Sequence, residues 1–152
     1  MKNNILKFFK GFVFAWNGIT YAVKTQLNFR FHLAAAVWII AFSLFYDLSA
    51  AERGVLFLAI GAVIALELVN TAVEKAVDLC TPEKNPLAKA AKDTAAGAVL
   101  VSAVTAVCVG VCLLWDTAVF SEITDFFVTN PAAAAVAVLS AAGSLIFIFK
   151  GI

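Results

Sequence analysis

Residues 54–78 read GVLFLAIGAVIALELVNTAVEKAVD. From Gly54 to Val73 the run is long and apolar enough to cross a bilayer, which takes about 20 such residues. One carboxyl interrupts it. Glu67 stands between Ile64-Ala65-Leu66 and Leu68-Val69, and an ionisable group at membrane depth is costly enough to mark a functional position by default. On a helix turning 100° per residue, Glu67, Asn70, Glu74 and Asp78 project within an arc of about 80°. Three carboxyls and an amide on one stripe repel one another unless a cation shares the space.

The rest of the chain has the same apolar character. Of 152 residues, 63% are hydrophobic and only 14% charged, and mean hydropathy is +0.97. Soluble domains run near 45–50% apolar and about 25% charged. The length allows one domain, and the composition makes it an integral membrane protein built from helices. Further spans are expected at about 29–46, 87–115 and 131–152, the last opening after the break at Asn130-Pro131. Residues 116–130 read as a connector or a short surface helix.

Before the first span, residues 5–26 set Phe8, Phe9, Phe12, Phe14, Trp16, Ile19 and Val23 among Lys7, Lys10, Asn17 and Lys24. Basic side chains beside bulky aromatics on an interrupted helical pattern predict an amphipathic helix lying in the interface. No removable signal peptide is read in this region.

Charge placement predicts the topology. Lys2, Lys7, Lys10, Lys24 and Arg30 precede the first span; Lys75, Lys84, Lys89 and Lys92 fall between the second and third; Lys150 follows the fourth. Only Arg53 lies on the other side. The basic side should be cytoplasmic, with both termini there. Scattered among apolar runs, these cations do not form the basic face a nucleic-acid binder needs. Cys80, Cys108 and Cys112 make no CxxC or Cys/His cluster, so neither a disulfide framework nor a zinc site is indicated.

Read from the residues, the carboxylate stripe has three explanations. It is a polar seam in which carboxylates pair with Lys75, Lys89 and Lys92. Alternatively it is a proton or ion pathway, or a magnesium and phosphate site, since hard ions prefer oxygen ligands and point charges. Lys89, Lys92 and Asp93, at i, i+3 and i+4 across the loop, can face the same space. No Walker A pattern occurs.

Glu67-Leu68-Val69-Asn70-Thr71-Ala72-Val73-Glu74-Lys75-Ala76-Val77-Asp78, followed by Ala88-Lys89-Ala90-Ala91-Lys92-Asp93-Thr94-Ala95-Ala96-Gly97-Ala98-Val99-Leu100, resembles the signature of the prokaryotic diacylglycerol kinase and undecaprenol kinase family. Phe14-Ala15-Trp16-Asn17-Gly18 and Asn28-Phe29-Arg30-Phe31-His32 upstream are also similar. The resemblance covers about residues 5–115, and the last span lies outside it.

The resemblance implies a homotrimeric membrane kinase with sites shared between subunits. It would move the γ-phosphate of Mg-ATP to a membrane lipid alcohol at the cytoplasmic face of the bacterial inner membrane. Glu67 matches the general base. Lys7, Asn70, Glu74, Glu83, Lys84, Asn85, Lys92 and Asp93 match ATP-binding positions, with Glu74 a magnesium ligand and Asp78 and Lys89 in support. Trp16, Arg30 and Ala96, with Glu67, match lipid-substrate positions. Gln26 stands where the family usually has Glu as a second metal ligand, and Asn85 where His is common. The Ala95–Leu100 and Asn70-Thr71-Ala72 stretches look more like undecaprenol kinases than diacylglycerol kinases. A structural or transport role is the reading of another class.

Overall fold

A computed structural model describes residues 2–81 and 85–151, all of its regular structure helical. Helix α1 covers Lys2–Thr25, α2 Leu27–Ser43, α3 Ala50–Cys80, α4 Pro86–Leu114, α5 Thr117–Thr129 and α6 Pro131–Lys150.

Local chemistry sets most of these boundaries. Gln26 takes an extended conformation, so α1 and α2 meet at a one-residue elbow in which the Gln26 amide still donates to the Ala22 carbonyl at 2.8 Å. Ser49 opens α3 through a complete capping box. Its hydroxyl accepts from the Glu52 amide, and the Glu52 carboxylate accepts from the Ser49 amide at 2.8 Å. Asn85 caps α4 by accepting from the Leu87 and Ala88 amides, ahead of Pro86 at the first helical position, where its missing N–H costs nothing. Asp116 caps α5, and Pro131 starts α6.

Among the described residues, α3, α4 and α6 are long and apolar enough to cross a membrane. The segment expected to span at 29–46 is shorter as a helix. Its 17 residues reach about 25 Å, against a hydrocarbon layer of about 30 Å. After Ser43 the chain tightens into i→i−3 bonds from Leu44, Phe45 and Tyr46, and the Ser43 hydroxyl donates back to the Ile40 carbonyl at 2.7 Å. Back-bonding of this kind competes with the helical ladder and favours its end. Residues 117–129, between the third and last apolar stretches, are helical.

The most extensive packing joins α3 and α4; α6 packs on α2 and α5, and α1 touches both α2 and α3. Leu48, Leu56 and Leu114 form the buried core, with Phe42, Tyr46, Ile60, Val109 and Leu113 around it. The Tyr46 hydroxyl donates to the Leu114 carbonyl at 2.6 Å, fixing the ends of α2 and α4 at one level. An apolar cavity of about 510 Å³ lies among α2, α3 and α4, with Trp115 and Phe120 also in its wall. Its α3 wall ends at Val63 and Ile64, one turn before Glu67. Many large apolar side chains face outward, Leu58 at 75% and Leu139 at 71% exposure among them, as expected of helices whose surroundings are lipid or other protein.

Candidate active site

Helix α3 is 31 residues long, about 46 Å at 1.5 Å per residue. Counting from Gly54, Glu67 lies about 20 Å along the axis and Glu74 about 30 Å, so Glu74 reaches the boundary of the hydrocarbon while Glu67 stays within it. The polar stripe therefore climbs from the apolar layer to the interface.

Packing has drawn the deep end of that stripe inward. Glu67 is 3% exposed, and Asn70 and Thr71 are also buried, whereas Glu74 is half-buried and Asp78 exposed. The Asn70 amide nitrogen donates to Glu74 Oε1 at 3.4 Å. Its carbonyl oxygen is buried and, among the described residues, has no hydrogen-bond partner. Such an oxygen is costly to leave unpaired. Asn70 and Glu74 between them carry the oxygen types that magnesium takes, an amide carbonyl and a carboxylate. The Thr71 hydroxyl donates to the Glu67 carbonyl at 3.0 Å. Thr71, which the carboxylate spacing did not pick out, also lines the groove between α1 and α3.

At the loop end, the Lys92 ammonium pairs with the Asp78 carboxylate and bridges the last turns of α3 to the first turns of α4. Lys89 and Asp93 pair with each other at 3.2 Å along α4 and are both largely exposed. Asn85 uses its side-chain oxygen as the α4 cap. Glu83 and Lys84 lie outside the described residues.

A second wall comes from α1. Ala15, Gly18, Ile19 and Tyr21 face Leu68, Thr71, Ala72 and Lys75 across a groove of about 350 Å³. A Cβ added at Gly18 would meet no atom within 4 Å, so the groove has space there. Trp16 is 68% exposed, and Ala96 is exposed on α4. Lys7 lies two turns before Ala15, about 12 Å further along α1, beyond the groove. Gln26 sits half-buried at the elbow.

Arg30, a lipid-substrate position by resemblance, is held by backbone carbonyls. Buried at the start of α2, it donates from Nε to the Ile148 carbonyl at 2.8 Å and from Nη1 to the Val23 and Lys24 carbonyls at 3.0 and 3.4 Å. Among the described residues, its charge meets the carbonyl ends of two helices.

The fold and site thus describe a multi-pass helical membrane protein with an acidic stripe at an interface and lysines across from it. Residues 13–114 match the family described as prokaryotic diacylglycerol kinase. The chain is 48% identical over 109 residues to an undecaprenol kinase of Bacillus subtilis (strain 168), spanning 72% of this chain and 89% of that one. It is also 48% identical over 104 residues to a diacylglycerol kinase of Synechocystis sp., 68% of this chain and 59% of that one. With a diacylglycerol kinase of Escherichia coli (strain K12) it shares 30% over 119 residues, 76% and 98% of the two chains. This chain belongs to the prokaryotic diacylglycerol kinase family, and it is a membrane lipid kinase. Helices α5 and α6 lie beyond the matched residues.

Proposed function

We propose that the protein phosphorylates undecaprenol with Mg-ATP, working as a homotrimer at the cytoplasmic face of the bacterial inner membrane. The observation that carries this is the buried Glu67 carboxyl one turn before Asn70, whose amide nitrogen donates to Glu74 and whose buried carbonyl oxygen has no partner among the described residues. A base at that depth suits an alcohol that is itself membrane-bound.

In the reaction the lipid hydroxyl oxygen forms a bond to the γ-phosphorus and its proton passes to Glu67. The bond from the γ-phosphorus to the β–γ bridging oxygen breaks, and ADP leaves. Phosphoryl transfer is mostly positioning and charge stabilisation. Asn70 and Glu74 would hold magnesium, which neutralises phosphate charge when bound. Asp78 orients Lys92 toward the phosphates, and Asp93, Lys89, Lys7 and the 83–85 loop complete the nucleotide side. Gln26 offers a neutral carbonyl oxygen in place of a second metal carboxylate. Trp16 and Ala96 serve the lipid.

Subunit sharing is supported by how open a single chain leaves this arrangement. Lys7 lies beyond its own groove, and Lys89, Asp93 and Ala96 are exposed. The undecaprenol kinase relative favours undecaprenol as acceptor, and the Synechocystis relative keeps diacylglycerol as the rival. Offering both lipids side by side in mixed micelles with ATP and magnesium decides between them. Phosphate should appear mainly on undecaprenol. Preferential labelling of diacylglycerol overturns the acceptor assignment, and labelling of neither overturns the catalytic one.

A further inference from the structure

The matched family segment ends at residue 114, yet the helix beyond it is fastened to the elbow where α1 joins α2. Arg30 makes that fastening. Its Nε reaches the Ile148 carbonyl in the last turn of α6, and its Nη1 reaches Val23 and Lys24 in the last turn of α1. The final carbonyls of a helix lack intrahelical partners and carry partial negative charge, which favours a cation there. A planar guanidinium, with five donors in a fixed fork, is better preorganised to serve two helix ends at once than a lysine ammonium. The end of α6 is shaped to allow this. Gly151 has φ +73° and ψ −162°, a combination essentially restricted to glycine. A Cβ at that position would meet Arg30 Nη1 at 3.3 Å and Cζ at 3.5 Å.

The elbow is also flanked by buried side chains. Ala22 before it and Phe29 after it are fully buried, so α1 and α2 are held together there. From the elbow, α1 runs back along α3, and its Ala15–Tyr21 segment forms the wall facing Thr71 and Lys75. Whatever holds the last turn of α1 therefore bears on the width of this groove along α3, the helix that carries Glu67. Near its middle, α6 makes one more polar contact with α2, where Trp38 Nε1 donates to Ser144 Oγ at 3.1 Å.

We infer that Arg30 is a positioning residue for the lipid site, and that the carbonyl end of α6 with Gly151 completes its seat. The additional helix is then a working part of the kinase. It braces the α1 wall of the groove against Leu68, Thr71 and Lys75, on the helix that carries Glu67, a role that rests on the kinase reading above.

Full-length Gly151→Ala, Arg30→Lys and the double variant test this, with Ser144→Ala as a control that removes the Trp38 contact and a bond within α6 to the Ser140 carbonyl but leaves the partners of Arg30 in place. The lipid KM should rise roughly ten-fold in each single variant, the size of one lost hydrogen bond to a charged group. The Mg-ATP KM and kcat should hold. The double variant should be no worse than either single one, because both changes remove the same contact. Ser144→Ala should leave the lipid KM unchanged. Hydrogen exchange supplies a readout independent of activity: Gly151→Ala should speed exchange across residues 22–30 while α3 and α4 keep their protection. Faster exchange confined to 144–151 with an unaltered lipid KM overturns the inference. So do additive effects in the double variant, or a general loss of protection in α3 and α4 with falling kcat. Should the wild-type chain phosphorylate no lipid, the kinase reading fails while the exchange pattern still decides whether α6 braces the elbow.

Discussion

Glu67 and Asn70 are one turn of helix apart, and their surroundings divide the work between them. Glu67 is a buried carboxyl in an apolar run, while Asn70 ties through its amide nitrogen to the half-buried Glu74. Replacing Glu67 with Gln keeps the size and the hydrogen-bonding capacity and removes the base. Phosphorylation should fall by about 10²–10⁴, the usual contribution of a general base, while the variant assembles and unfolds like the parent. Turnover within a factor of a few of wild type, measured in the same micelles, would reassign Glu67 to a structural role. The position of this carboxyl was legible in the sequence because a lone charge in an apolar run is conspicuous. Thr71 was not, since a threonine in such a run has nothing unusual about it until its hydroxyl is seen to donate to the Glu67 carbonyl beside the groove.

At the scale of elements, the helix boundaries follow local capping chemistry. Asn85 and Pro86 form a start signal for α4, and the structure uses Asn85 for that purpose. The same side chain falls within the segment whose resemblance assigns it to the nucleotide loop, so its two roles predict different mutants. Asn85→Ala should lower stability by about 1 kcal/mol, a typical N-cap loss, whereas Asn85→Asp, which keeps a cap oxygen, should not. Unfolding midpoints in detergent for the two variants read this out. Equal midpoints for Asn85→Ala and the parent would mean that the cap contributes nothing here. Hydropathy placed the apolar stretch that begins with α2 but overran its helix, because the window includes Leu44, Phe45 and Tyr46 whether or not they stay helical. The backbone turns there through i→i−3 bonds, and Tyr46 is spent on the Leu114 carbonyl.

For the molecule as a whole, the contacts at helix ends specify a consistent traverse. Tyr46 meets the end of α4, Lys92 meets the end of α3, and the last turn of α6 meets Arg30 at the start of α2. Helix α6 therefore runs back toward the side that carries the α1–α2 elbow, and Lys150 joins Lys24 there. With the basic residues cytoplasmic, the α5 segment is expected outside. In a chain with its native cysteines replaced, Ser121→Cys should react with an impermeant maleimide on intact cells. Lys10→Cys and Lys150→Cys should react only after permeabilisation. Labelling of Lys150→Cys from outside would mean that α6 does not return.

The sequence by itself determined the membrane class, the carboxylate face on α3 and the family, because hydropathy, helical period and a run of matched residues are all local properties of a chain. Tertiary structure decided what those residues touch. It gave Arg30 two helix ends to hold, the farther of them 118 positions away in sequence, and it set α1 against α3 to make the groove. A guanidinium carries five donors wherever it stands, but its partner is whichever helix terminus long-range packing delivers. That depends on how all the helices settle together, and no window of sequence contains it.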